Sequence, residues 1–379
     1  MAKGGACVAR LGDSARVVFV RGGVPGETCR IEVTDDSRRA WWRGRVVEVL
    51  RPSPDRVTPP CPVAGRCGGC DWQHIGLDRQ RRLKSESISG QLRHLAGLDA
   101  SVSVSAVPGD VGGLAWRTRM RYVGDGAAVG LRAPFSHDIV PLPSGGCPLA
   151  APGGPEPRQL MAWLRGTGEI AVTVSESGTT VWSPQRGVIS GEAVVKQSVA
   201  GRAFAVRADG FWQVHPGAGE ALTGAMIEAL RPRPGESALD LYCGVGLFTA
   251  TLADAGVRVT GVEVNTAAAA LARFNVPTAT FVTGRVERAE WTCGDAVDLV
   301  VLDPPRAGAG AAVVRRVAAV RPRAIAYIAC DEAALARDVA TFASVGYRLT
   351  GIEAFDMFPM TAHVECVVRL QPDEVDQDG

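Results

Sequence analysis

Four short apolar runs, 237–242, 257–262, 297–302 and 324–329, alternate with segments of helical spacing in the last third of the chain. No other feature limits the fold as strongly. Strand–helix alternation requires parallel strands with helices packed on both faces of the sheet. A closing pair, 347–355 and 362–370, is expected to add an antiparallel edge. The fold class is therefore α/β, with a Rossmann-like domain over 206–379.

The first half reads differently. Residues 4–50 alternate in short runs, 15–20, 28–34 and 43–50, punctuated by Gly22-Gly23 and Pro25-Gly26. That rhythm fits a small β-barrel of the oligonucleotide-binding type over 1–52. A Pro- and Ser-rich stretch, 51–60, serves as a linker to a mixed central domain, 53–205. Within it, Leu83, Ile88, Leu92 and Leu95 recur at helical spacing and predict a helix over 77–98. Residues 115–205 read as short strands and glycine turns. No repeat is present, and the acidic tail 373–379 is expected to be disordered.

At 379 residues and 46% hydrophobic content, the chain can fill two or three cores. No signal peptide opens it and no apolar run is long enough to cross a bilayer, so a soluble, cytoplasmic monomer is expected. The net charge of +1 predicts no polyanion, but its distribution does. Residues 1–150 carry 21 Lys and Arg against 14 Asp and Glu, and 151–379 carry 20 against 26. A basic front half suits a polyanionic partner held there.

Ten cysteines in such a chain argue for metal ligation or catalysis rather than disulfides. Cys61, Cys67 and Cys70 place three thiols in ten residues, with Gly68-Gly69 between the last two. Cys147, framed by Gly145-Gly146 and Pro148, is the candidate fourth ligand. Four thiolates fit a [4Fe–4S] cluster or structural zinc. His74 lies nearby and is not needed. Cys330 stands just past the run 324–329 and before a helix expected over 332–339, whose N-terminus favours a thiolate. Cys7, Cys29, Cys293 and Cys366 lack such a setting and read as small buried hydrophobes, with Cys243 as packing.

The run 239–246 enters a glycine turn at Gly244 and Gly246. Glu263 follows nineteen residues after Gly244 (263 − 244) and is placed to bind both ribose hydroxyls of a nucleoside. With no phosphate to cradle, S-adenosylmethionine suits this turn better than a dinucleotide. Asp303-Pro304-Pro305-Arg306 then fixes a carboxylate in a rigid turn beside the donor. Glu365, in an otherwise apolar strand, is a candidate base. A thiol and a base at one sheet end can attack an electron-poor ring and later remove its proton.

In combination these segments resemble the RNA 5-methyluridine (uracil-5-) methyltransferase family over nearly the whole chain. The resemblance implies an RNA-binding TRAM domain in 4–52, a [4Fe–4S] cluster on Cys61, Cys67, Cys70 and Cys147, and methyl-donor contacts from Gln213, Tyr242, Glu263 and Asp303. It also implies Cys330 as nucleophile and Glu365 as base. Large-subunit ribosomal RNA is the first expected substrate, with the T-loop of transfer RNA second. A non-catalytic RNA-binding iron–sulfur protein and an exocyclic-nitrogen methyltransferase are the other readings. Three positions depart from the pattern. Asp331 and Glu332 replace Asn-Pro and are expected to raise the thiol pKa, Leu247 replaces a polar residue, and His215 replaces Asn.

Overall fold

The computed structural model describes residues 1–2, 4–12, 16–291 and 297–373. Cys293 and all but the first residue of the expected acidic tail lie outside the described residues.

The last third of the chain is built on an eight-stranded sheet. Five strands run parallel: β14 (Ser237–Leu241), β15 (Arg258–Glu263), β16 (Thr280–Thr283), β17 (Leu299–Leu302) and β18 (Ala324–Ala329). The last pair, β19 (Tyr347–Asp356) and β20 (Glu365–Pro372), is antiparallel, with β20 against β18. The sheet order is β16-β15-β14-β17-β18-β20-β19, with one more strand beyond β19. The expected antiparallel pair is therefore present but is not the edge. A three-residue strand from the first half, β5 (Val104–Ala106), pairs with β19 and takes that place.

All six residues of β18 are buried. Ile325, Tyr327 and Ala329 face one core, and Ala324, Ala326 and Ile328 face the other. Strands covered on both faces lose the polar alternation of a half-exposed sheet, which is why these runs are continuously apolar. Each fully buried Leu, Ile or Val contributes about 1.5–3 kcal/mol to that packing. Helices α3 (Ala218–Leu230) and α4 (Leu247–Asp254) cover one face, with α5 (Thr266–Asn275) beyond them. Helices α6 (Gly310–Ala319) and α7 (Glu332–Ala343) cover the other.

The helix expected over 77–98 forms as α1 (Leu77–Gln91), continued by a π-helical turn (Leu92–Ala96) that ends at Gly97 in a left-handed conformation. Ile88 and Leu92 join the catalytic core, whereas Leu83 packs with Val24, Trp72 and Ile75. One helix thus serves two cores.

In the N-terminal part, β1 (Cys7–Leu11), β2 (Arg16–Arg21), β3 (Thr28–Asp35) and β4 (Trp41–Arg51) form a sheet of order β1-β2-β4-β3. This region is β-rich, as expected, but the pairings among the described residues do not close it into a barrel. The central region holds β6 (Arg119–Asp125) to β11 (Gly187–Ser190) in one six-stranded sheet. It also holds an unforeseen helix, α2 (Pro157–Leu164), and a hairpin of β12 (Val194–Val199) and β13 (Arg202–Arg207).

Candidate functional site

Parallel register makes neighbouring strands end together. Leu241 pairs with Val262 and Leu302, and Leu302 with Tyr327. The residues that follow each strand, Tyr242, Asp303 and Cys330, and Glu263 at the end of β15, therefore emerge at one edge. Because β20 runs the opposite way, with Ala329 opposite Cys366, it begins at that edge and sets Glu365 beside Cys330. A cavity of about 660 Å³ lies there. Gln213, Tyr242, Glu263, Asp303, Cys330 and Glu365 all line it. Its volume falls in the range usual for nucleoside-sized ligands.

The turn after β14 is built for close approach. Tyr242, Gly244 and Gly246 all have positive φ, at 68°, 56° and 90°. At Tyr242 this is a strained conformation, of the kind retained where surrounding structure holds it. The Glu263 carboxylate accepts from the Gly244 N–H at 2.9 Å and the Asn265 N–H at 2.6 Å. Those bonds fix its orientation and leave lone pairs for a ligand. Leu247 does not line the cavity. It is buried with Phe204, Trp212 and Val245, so its apolar character serves packing. His215 likewise stands off the cavity, stacked on Trp116 with centroids 6.0 Å apart.

Acidic groups dominate the electrostatics. Asp240 is wholly buried, accepts from Thr249 Oγ1 at 2.6 Å, and leaves its Oδ1 without a partner among the described residues. Burial pushes its pKa up to about 6. Enclosure and the Asp240 charge push Asp303 up to about 7. Glu365, 4% exposed, lies well above the usual carboxylate range because of burial and then Asp303. Arg306 opposes these charges. Its NH2 lies 3.3 Å from His363 Nε2, and burial holds that imidazole down at about 4. Both side chains also line the cavity. For Arg306 the available signal was a basic group next to the Asp-Pro-Pro turn; His363 had none.

The thiol differs from expectation. Burial and then Glu365 raise the Cys330 pKa to about 11, with Arg306 acting in the opposite sense. The two following acids act elsewhere. Asp331 caps α7 by accepting from the Ala334 N–H at 3.0 Å, and Glu332 accepts from Ser87 Oγ at 2.9 Å. The carboxylates that raise the thiol pKa are Glu365 and Asp303.

The segment 357–364 brings Phe358 and His363 to the cavity and leads into Glu365. It is clamped from the first half of the chain. Asp71 and Trp72 N–H groups both donate to Met360 O at 3.0 Å, and Met360 N–H donates to Gln80 Oε1 at 2.9 Å. Lys84 Nζ, fully buried, donates to Asp356 Oδ1 at 2.5 Å and to Phe358 O at 3.1 Å. Sequence reasoning missed this clamp. Its signal was two polar residues, Gln80 and Lys84, one turn apart beside the apolar Leu83 and Ile88.

Cys61, Cys67, Cys70 and Cys147 line one small cavity of about 20 Å³. Gln73 Nε2 donates to Cys70 Sγ at 3.1 Å, and the Gly69 N–H to Cys67 Sγ at 3.4 Å. Among the described residues, however, no three His, Cys, Asp or Glu side chains are grouped closely enough to hold a metal ion. His74 stands apart, against Gly23 O at 3.1 Å. Cys7, Cys243 and Cys366 are buried, as expected of small hydrophobes, while Cys29 is only half-buried.

The chain is similar to known proteins over nearly its whole length. Residues 290–372 match the family described as tRNA (Uracil-5-)-methyltransferase, and 220–325 match the methyltransferase small domain. A Streptomyces avermitilis protein called an uncharacterized RNA methyltransferase is 41% identical, over 98% of this chain and 96% of its own. The Edwardsiella ictaluri 23S rRNA (uracil(1939)-C(5))-methyltransferase RlmD is 30% identical, over 95% of this chain and 92% of its own. Among solved structures, the Pyrococcus abyssi tRNA (uracil-54, C5)-methyltransferase in complex with S-adenosyl-L-homocysteine superposes with a TM-score of 0.72. It covers 96% of this chain and 99% of its own at 22% identity, and so shares the fold.

Proposed function

This chain belongs to the RNA 5-methyluridine (uracil-5-) methyltransferase family, and from that premise we propose that it methylates C5 of one uridine in ribosomal RNA through a covalent bond to Cys330. The observation that carries the reading is the convergence of a thiol, a buried carboxylic acid and the donor-side residues on one cavity. The chain is an RNA methyltransferase, and S-adenosylmethionine is its methyl donor. The 30% identical relative named for 23S rRNA favours the large-subunit RNA over a transfer RNA.

The cavity fits a cationic ligand, because Asp303 and Glu365 line it, with Arg306 as the opposing charge and the buried Asp240 close enough to act on Asp303. When bound, S-adenosylmethionine supplies an electrophilic methyl group and a positive charge beside those acids. Glu263 and Tyr242 would hold its nucleoside end, and Asp303 and Gln213, which line the same cavity, would serve the donor and the target base. The Cys330 thiolate adds to C6 of a uracil flipped out of its stack, moving the ring electrons onto C5 and O4. C5 takes the methyl group as the S–CH3 bond of the sulfonium breaks, its electron pair staying on sulfur to leave a neutral thioether. Glu365, as carboxylate, then removes the C5 proton, and the electrons of that C–H bond expel the thiolate. The thiolate is regenerated, and Glu365 must release its proton before the next cycle.

We read residues 1–52 as the RNA-binding part, 53–205 as the central part and 206–379 as the catalytic part. The four cysteines are proposed ligands of a [4Fe–4S] cluster, with zinc the alternative. A shared cavity and N–H donors aimed at two sulfurs support a polythiolate site. Iron and acid-labile sulfide in protein purified without air support the cluster; one zinc per chain and no iron would exclude it.

Nucleoside mass spectrometry of ribosomal and transfer RNA from a deletion strain tests the substrate. Loss of one 5-methyluridine from large-subunit RNA is expected, and loss confined to transfer RNA would redirect the proposal. Unchanged 5-methyluridine in both would remove it.

A further inference from the structure

The N-terminal sheet and the central region meet along a row of rings and guanidinium groups that methyl transfer leaves unused. The Arg43 guanidinium lies 5.1 Å from the Trp41 ring centre and 5.1 Å from that of Phe135. Arg21 stands 5.7 Å from the same Phe135 ring. The order Trp41, Arg43, Phe135, Arg21 thus alternates ring and cation across two parts of the chain.

Phe135 is the unexpected member. It is 82% exposed and its φ is +56°, a conformation that bulky residues rarely adopt. A ring held in water on a strained backbone gains little from burial, so core packing does not explain it. Its turn is nevertheless well supported. Gly68 N–H donates to Arg132 O at 2.9 Å, and Ala133 N–H to Asp138 O at 2.9 Å. A Cβ on Gly68 would come within 2.8 Å of Arg132 O, so the cysteine loop and this turn are fitted to each other. The row is also tied to the cavity. Arg21 NH2 reaches Asp71 Oδ1 at 3.4 Å, and Asp71 N–H holds Met360 O in the segment that carries Phe358 and His363.

We propose that Trp41, Arg43, Phe135 and Arg21 form a stacking platform for unpaired bases of the RNA that flank the target uridine. The inference rests on the RNA-methylation reading and deepens it. Ring faces accept any base, and guanidinium groups stack on bases while facing phosphates. In a duplex those base faces are already stacked on each other, so such a platform selects single-stranded RNA.

The test compares wild-type protein with Phe135→Leu and Arg43→Gln, titrated with a labelled single-stranded RNA and with a blunt duplex of equal length. Wild type is expected to prefer the single strand. Phe135→Leu should raise its dissociation constant at least about fivefold, the low end for one lost base–ring stack, with little change for the duplex. Phe135→Trp should restore affinity, and KM for RNA should follow the same order. S-adenosylmethionine binding by calorimetry checks that each variant is folded. Equal single-strand affinity of Phe135→Leu and wild type, or equal losses on both RNAs, would overturn the platform. If wild type methylates uridine while Phe135→Leu keeps its affinity and KM, the platform falls alone. If the variants lose single-strand affinity but wild type methylates no uridine in any RNA, the platform stands and the methylation reading fails.

Discussion

A buried carboxylic acid beside a half-buried thiol makes the proton inventory the first question at Cys330. Burial raises both pKa values, and each negative charge would raise the other further. Both groups must nonetheless lose a proton to act in the proposed cycle. A bound sulfonium lowers both, which couples donor binding to activation of the nucleophile. At saturating donor, kcat/KM for RNA is therefore expected to climb as pH rises from about 6 to about 9, without a thiolate plateau at the acid end. A rate independent of pH over that range would contradict this. Asp303 allows a sharper check. Its folded pKa of about 7 exceeds the model-peptide value of 3.8, so the folded state holds a proton that the unfolded chain releases. Wild type thus loses this group's contribution as pH rises between those values. Asp303→Asn should gain stability relative to wild type across that window, read from urea midpoints. It should also bind S-adenosylmethionine about tenfold or more weakly at neutral pH, by calorimetry.

At the level of elements, the segment between β19 and β20 owes its shape to α1 rather than to its own sequence. Met360 sits at a φ of 66° and is held by the Asp71, Trp72 and Gln80 bonds. Lys84→Ala would leave Asp356 buried with only Arg81, 3.4 Å away, beside it. A loss of about 3 kcal/mol is expected, the usual result of removing one partner of a buried pair. Chemical denaturation measures it, and a change below about 1 kcal/mol would show that Arg81 compensates. The parallel strands were legible because β18 and its neighbours are apolar on both faces. The edge strand β5 was not, since Val104-Ser105-Ala106 has no pattern of its own and exists only through pairing with Ala354–Asp356. Tyr242, Asp303 and Cys330 were legible as candidates because each follows a strand, while Glu263 closes one, Glu365 opens one and Gln213 came from the resemblance alone. Arg306, His363 and the Lys84 clamp depend on contacts between distant segments, which spacing does not encode.

Across the whole molecule, cores and proposed functional regions do not share boundaries. Ile88 and Leu92 complete the catalytic core, and β5 completes its sheet. Residues 206–379 alone would expose that apolar surface and the open edge of β19. Expressed by themselves, they are expected to aggregate or bind a hydrophobic dye, whereas the full chain does neither; a monomeric fragment with native-like thermal unfolding would contradict this. The N-terminal sheet is anchored by a different device. Burial alone would raise the Glu27 pKa, but Arg56 and the Val24 and Ser53 N–H groups hold it at about 2. Glu27 thereby fastens the sheet to the linker through Ser53 and Arg56.

The proposed cycle stands or falls on a bond between Cys330 and the RNA. Glu365→Gln protein, incubated with uridine RNA and S-adenosylmethionine, is best examined by intact mass spectrometry after denaturation. Without the base, proton removal from C5 stalls, so a species with the mass of protein, RNA and one methyl group is expected to accumulate. The same species should be absent when Cys330→Ala is added to the variant. No covalent species from Glu365→Gln protein that still binds donor and RNA, or one that survives Cys330→Ala, would contradict the account.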